Sequence, residues 1–153
     1  HQALVKKKAY TGSVAGGINL LGNMFNYAGP MLWMGSLIHE STHTPDDILA
    51  TFDATVARLQ DAPVDQATMD RALVKLRSSL YDQLASLNGF GAADLLASFA
   101  LFDDDPSRIN RLEAEFRKVT PALLQKTARE YLRATNRTVL LIEPGQAAPA
   151  AQE

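Results

Sequence analysis

His39-Glu40-Ser41-Thr42-His43 is the stretch of this chain whose residue types and spacing best match a catalytic device. In an H-E-x-x-H string on a helix, two imidazoles one turn apart hold zinc and the glutamate acts as general base on the metal-bound water. The chemistry requires continuous helix, because only an i, i+4 separation on one face brings both ring nitrogens to one metal. Pro45 follows almost at once. Proline disfavours helical backbone at Thr44 before it. Thr44-Pro45-Asp46-Asp47 then reads as a helix start, with a threonine cap, proline in the first position and two carboxylates at the positive end of the dipole. The spacing therefore predicts that the string lies in a loop just before a helix.

An alternative keeps the motif alive. Pro30 opens a helix through Met31, Met34, Ile38 and both histidines, with Pro45 as its stop. The chain would then be a small zincin-type metallopeptidase with His39 and His43 as ligands, Glu40 as base and a third ligand from elsewhere. Against it, Met31–Ile38 is short, apolar and glycine-containing, and Tyr27-Ala28-Gly29-Pro30 precedes it, which suits a strand entered from a turn.

Other chemistry is thin. Ser36, Ser41 and His39 are close in sequence but lack a G-x-S-x-G elbow or an orienting acid. Gly12, Gly16, Gly17 and Gly22 lack phosphate-loop spacing. Asp103-Asp104-Asp105 precedes a proline and reads as a capped turn before it reads as a cation site. With no cysteine, thiolate zinc sites, disulfides and cysteine nucleophiles are excluded. A net charge of -2 and a pI near 5.9 leave no electrostatic footprint for nucleic acid or an anionic membrane. The Lys6-Lys7-Lys8 run reads as a solvated helix end. No apolar stretch approaches the roughly 20 residues of a membrane span.

The elements that would position these residues follow from periodicity. At 153 residues, 46% hydrophobic and 21% charged, the chain suits one globular domain over residues 1–144, followed by a disordered small-residue tail over 145–153. Strands are expected over 9–20 and 31–39, with a turn from Gly22 to Pro30 between them. A helix opened by Pro45 presents Ile48, Leu49, Phe52, Val56 and Leu59 on one face. A longer one capped by Asp65 presents Met69, Leu73, Leu76, Leu80, Leu84 and Leu87, ending at Asn88-Gly89. A third, over 91–102, is apolar around much of its circumference. A short fourth follows Asp105-Pro106. Thr120-Pro121 opens a fifth with Leu123, Leu124, Ala128, Tyr131 and Leu132. A last strand is expected over Thr138–Ile142. The order describes an α+β domain with helices packed on one face of an antiparallel sheet.

This order of elements resembles a domain of the pitrilysin/insulinase family of zinc peptidases, the inverzincins, whose relatives include mitochondrial-processing-peptidase-like domains. The resemblance rests on three stretches. Val119 through Pro144 is similar to the family's closing helix and strand, Ala3–Tyr10 to a helix-to-strand junction, and Pro63-Val64-Asp65 with Met69 to Leu80 to the start of its long middle helix. The family's metal motif is H-x-x-E-H, which does not occur here. The resemblance thus implies a non-catalytic repeat, with no catalytic or metal residue in this chain and the zinc held by a catalytic domain or subunit of the same family. It also implies strand rather than helix over 31–39, and an opening strand and helix before His1.

From the same resemblance, Tyr10 matches a tyrosine that contacts substrate from the non-catalytic half, with Lys6 as the nearest basic residue in place of the family's arginine. The implied role is to pair with the catalytic partner, grip an extended peptide and enclose it. A domain lacking its opening strand is also expected to self-associate. Bacterial periplasm and cytoplasm both fit this reading.

Overall fold

A computed structural model describes residues 1–19, 23–86 and 91–143, and the expected turn at Gly22, the helix end at Asn88-Gly89 and the tail over 145–153 lie outside the described residues. The chain is α+β: a two-stranded antiparallel sheet followed by a helical body.

The N-terminus forms a π-helical turn over Gln2–Lys7, with Lys6 and Lys7 exposed in its last turn. β1 (Val14–Ile18) and β2 (Trp33–Leu37) form a hairpin whose register sets Gly16 opposite Gly35 and Ile18 opposite Trp33. Both strands are shorter than the expected 9–20 and 31–39. The paired glycines have a definite use: a Cβ at Gly35 would stand 3.0 Å from the Trp33 ring, and one at Gly16 3.2 Å from it. The bare backbone lets the indole lie flat across the sheet. Its other side stacks on Phe52 of α1 (Pro45–Asp61), with centroids 6.0 Å apart and planes at 25°. One indole thus forms the layer between sheet and helix.

Helix starts follow the expected chemistry. Thr44 Oγ1 accepts from Asp47 N with Pro45 in the first turn, and Asp65 accepts from Thr68 N at the head of α2 (Gln66–Leu84). Thr120 accepts from Leu123 N at the head of α5 (Pro121–Tyr131). Such caps each contribute about 1 kcal/mol by satisfying amides that the helix leaves open. α3 (Gly91–Phe102) begins on a glycine at φ +48, where a Cβ would meet Ser86 O at 2.5 Å. Only glycine fits that entry. The expected fourth helix splits into a 3₁₀ turn, Pro106–Arg111, and a short α4, Leu112–Phe116.

The core centres on α3. Leu95 and Phe99 are fully buried and pack with Leu80 of α2 and Leu112 of α4, with Phe25, Leu84, Ile109 and Phe116 around them. Each such side chain contributes roughly 1.5–3 kcal/mol on leaving water. α3 is not buried all round, since Leu101 remains 75% exposed. The turn before β2 is tied to this core by Asn23, itself buried: its Nδ2 donates to Asp94 Oδ2 at 2.5 Å and Ser98 Oγ at 3.1 Å, while its Oδ1 accepts from Phe25 N at 2.8 Å. Arg108 lies over the Phe25 and Phe99 rings and is held by Asp103 at 2.7 Å and Glu115 at 3.1 Å.

α1 packs on α5, with Val56 and Ala128 buried between them. Gln60 joins their ends: its Nε2 donates to Ala128 O at 3.2 Å and Leu132 O at 2.8 Å, and its backbone oxygen accepts from Gln125 Nε2 and Arg129 Nε. Of the apolar residues named on α5, Leu123 and Tyr131 are exposed and Ala128 is buried.

The expected last strand is absent as such. Thr138–Ile142 makes no backbone hydrogen bond among the described residues, and Leu140 and Ile142 are 80% and 81% exposed. A β-branched run favours extended backbone, but a strand also needs a neighbour to receive its amides, and among the described residues β1 and β2 pair only with each other. At the root of the segment, Arg137 is held in an ion pair with Asp53 of α1, including an Nη2 to Oδ2 bond of 3.0 Å.

Candidate functional site

The H-E-x-x-H string lies in the connection between β2 and α1. β2 ends at Leu37, residues 41 and 42 turn, and α1 starts at Pro45. Within the connection His43 N donates to Glu40 O at 3.1 Å, and His39 Nδ1 lies 2.9 Å from that same oxygen. The two imidazoles do not share the face of a helix, and the zincin geometry is therefore not formed. The expectation of a loop, built on Pro45, is the one that matches. No group of three His, Cys, Asp or Glu side chains with metal-holding geometry occurs among the described residues.

His43 has a different neighbour. Its ring meets Tyr10 edge to face, with centroids 5.0 Å apart and planes at 70°. Tyr10 is half-buried, its N donates to Leu4 O at 2.9 Å, and its hydroxyl oxygen accepts from Thr51 Oγ1 at 3.4 Å. Tyr10 is thus fixed from three directions: the N-terminal turn, the loop after β2 and the first half of α1. Lys6 takes no part in these contacts and is exposed to solvent. The structure therefore fixes one of the two substrate-binding candidates in a defined environment and leaves the other on the surface.

Beside this cluster, at the open end of the hairpin, lies a shallow groove of about 380 Å³ lined by Thr11, Ser13, Ala15, Ser36, Leu37 and Ile38. Thr11, Ser13 and Ser36 bring hydroxyl groups to the lining beside Leu37 and Ile38, and Thr11 Oγ1 is already engaged with Ser13 backbone on both sides, at 2.9 and 3.3 Å. The groove therefore suits backbone and small side chains of an extended segment better than a charged ligand. Among the described residues the outer edge of β2 is unpaired, and the strand is flanked by Leu32 and Ile38, 77% and 89% exposed. An unpaired edge presents alternating amides and carbonyls ready to receive another strand.

The aspartates at 103–105 are a structural turn. Asp103 pairs with Arg108, and Asp105 accepts from Ser107 Oγ at 2.6 Å and pairs with Arg111, which together hold its carboxyl below the usual range. Asp104 carries a left-handed φ of +52 that closes the turn. Arg111 and Arg108 supply here the positive charge that a cation would supply.

Sequence reasoning missed the Tyr10–His43–Thr51 cluster, although it named Tyr10. The three residues come from separate elements, and no local spacing signals a contact across that distance. Comparison with protein-family models, curated proteins and solved structures returns no match to this chain.

Proposed function

We propose that this chain is a non-catalytic module of a zinc metalloendopeptidase assembly, holding an extended peptide while a partner domain or subunit of the same family supplies metal, water and general base. The observation that carries the reading is the outer edge of β2, unpaired among the described residues, together with a groove lined from both strands by Ser13, Ala15, Ser36 and Leu37. A peptide added to that edge would gain main-chain hydrogen bonds, while exposed Leu32 and Ile38 offer apolar contact for alternate side chains. The looped His39–His43 string supports a chain that does not bring its own metal.

The single tryptophan gives the test. Trp33 lies in β2 and is half-exposed, so a peptide pairing with this strand changes its surroundings. Extended peptides with alternating apolar residues are expected to shift and quench its emission in a saturable way, with no cleavage by the chain alone. Polyproline peptides, which cannot donate to a sheet edge, are expected to leave it unchanged. Stoichiometric zinc together with hydrolysis by the isolated chain would overturn the reading in favour of a metalloenzyme.

A further inference from the structure

We infer that Thr138–Ile142 is a strand donated between copies: in a two-fold dimer, the segment of each copy pairs with the outer edge of β2 of the other. The segment is β-branched and apolar on both sides, with Val139 52%, Leu140 80%, Leu141 50% and Ile142 81% exposed. A strand apolar on both faces is built for burial on both faces. Its root is held by Arg137 on Asp53, next in α1 to Phe52, the ring that carries Trp33 of β2. Even so placed, the segment makes no backbone bond to its own sheet among the described residues. Among the described residues the outer edges of both β1 and β2 are open, and the exposed Leu32 and Ile38 beside β2 favour it as the acceptor.

The surface area agrees with a missing partner. The chain exposes 11740 Å², against roughly 7,600 Å² for a compact monomer of its mass. Even with every residue outside the description counted at the surface of an unfolded chain, an excess on the order of 2,000 Å² remains. A stable interface buries about 1,200–2,000 Å² over both partners, roughly 600–1,000 Å² from each, so one dimer contact accounts for part of this excess. A net charge of -2 opposes the approach of a second copy only weakly. With one donor segment per copy, a two-fold axis lets the two exchanges close as a dimer, whereas the same contact without that axis would run on as an open chain. The pairing stands apart from the peptidase reading, but it claims the same edge as the peptide.

The test is sedimentation velocity of the full chain over a range of concentrations, beside the Leu140→Asp/Ile142→Asp double variant and a Leu101→Asp control. All three substitutions fall on exposed positions, so the fold should persist, as far-UV circular dichroism would show. The wild type and control are expected to dimerise, with the double variant's Kd raised at least about 100-fold. A wild type that stays monomeric, or a double variant that dimerises as tightly, would overturn the inference. So would amide exchange protection of 138–142 in a monomer, which would mean that the segment pairs within its own chain. Peptide quenching of Trp33 that persists in the monomeric double variant would leave the peptide reading intact whichever way the dimer test falls.

Discussion

Tyr10 and His43 meet edge to face at 5.0 Å, so a residue of the only zincin-like string in the chain serves as a wall for the tyrosine at the base of the hairpin. The contact assigns His43 to packing. It also makes Tyr10 testable without disturbing the core, because the hydroxyl and the ring can be removed separately.

Tyr10→Phe removes only a long hydroxyl contact to Thr51, and is expected to cost less than about 1 kcal/mol in urea unfolding. Tyr10→Ala also removes the ring from His43 and is expected to cost about 1–3 kcal/mol. If the hydroxyl contacts peptide, Tyr10→Phe will weaken Trp33 quenching several-fold at unchanged stability. Equal quenching in both proteins would confine Tyr10 to packing.

Zinc content is expected to stay far below one ion per chain after purification at neutral pH, and to be the same in His39→Ala. The reason is geometric: the two imidazoles are not one turn apart on a helix. One bound ion per chain, lost in the variant, would sink this expectation.

The Asn23 clip and the α3 core should differ in cost. Phe99→Ala opens a cavity in the fully buried cluster and is expected to lose about 3–5 kcal/mol. Asn23→Ala leaves Ser98 with its bond to Asp94 O but removes the side-chain link from the turn to Asp94, for an expected loss of about 1–3 kcal/mol. Chemical denaturation with matched m-values would measure both.

Acid should weaken the fold through identifiable carboxylates. Hydrogen bonds from Thr68 lower Asp65, those from Ser107 and Arg111 lower Asp105, and Arg117 lowers Glu113. A carboxyl lowered in the folded state adds stability that is complete above its ordinary value, 3.8 for Asp and 4.5 for Glu, and fades as pH falls through the lowered one. Stability is therefore expected to be flat from pH 6 to about 5 and to decline below it. Asp65→Asn keeps a capping oxygen but cannot titrate, so its decline should be shallower. A slope identical to that of the wild type would exclude Asp65 from the acid response.

Much of the helical body was legible because its signals are local. Thr44-Pro45, Asp65 and Thr120-Pro121 each carry cap and first turn within a few residues, and the caps form as expected. Pro45 likewise placed the histidines outside a helix. The sheet was less legible. Thr138–Ile142 has the composition of a strand, but pairing depends on a neighbour that composition does not specify. The 3₁₀ turn at Pro106 was read as ordinary helix because its Arg108 and Arg111 ion pairs become visible only in three dimensions. At the site, Tyr10 could be named from a resemblance, while its partners His43 and Thr51 depend on how three separate elements meet.

The join between α1 and the C-terminal part of the chain also has a mechanical side. Gln60 fastens the end of α5, and Asp53 fastens Arg137 immediately before the exposed segment. Tension on Thr138 would thus be taken up by α1, at a position adjacent to the ring that backs the only indole. The molecule carries its own strain gauge: pulling on the segment after Arg137 loads the helix whose displacement Trp33 is placed to report.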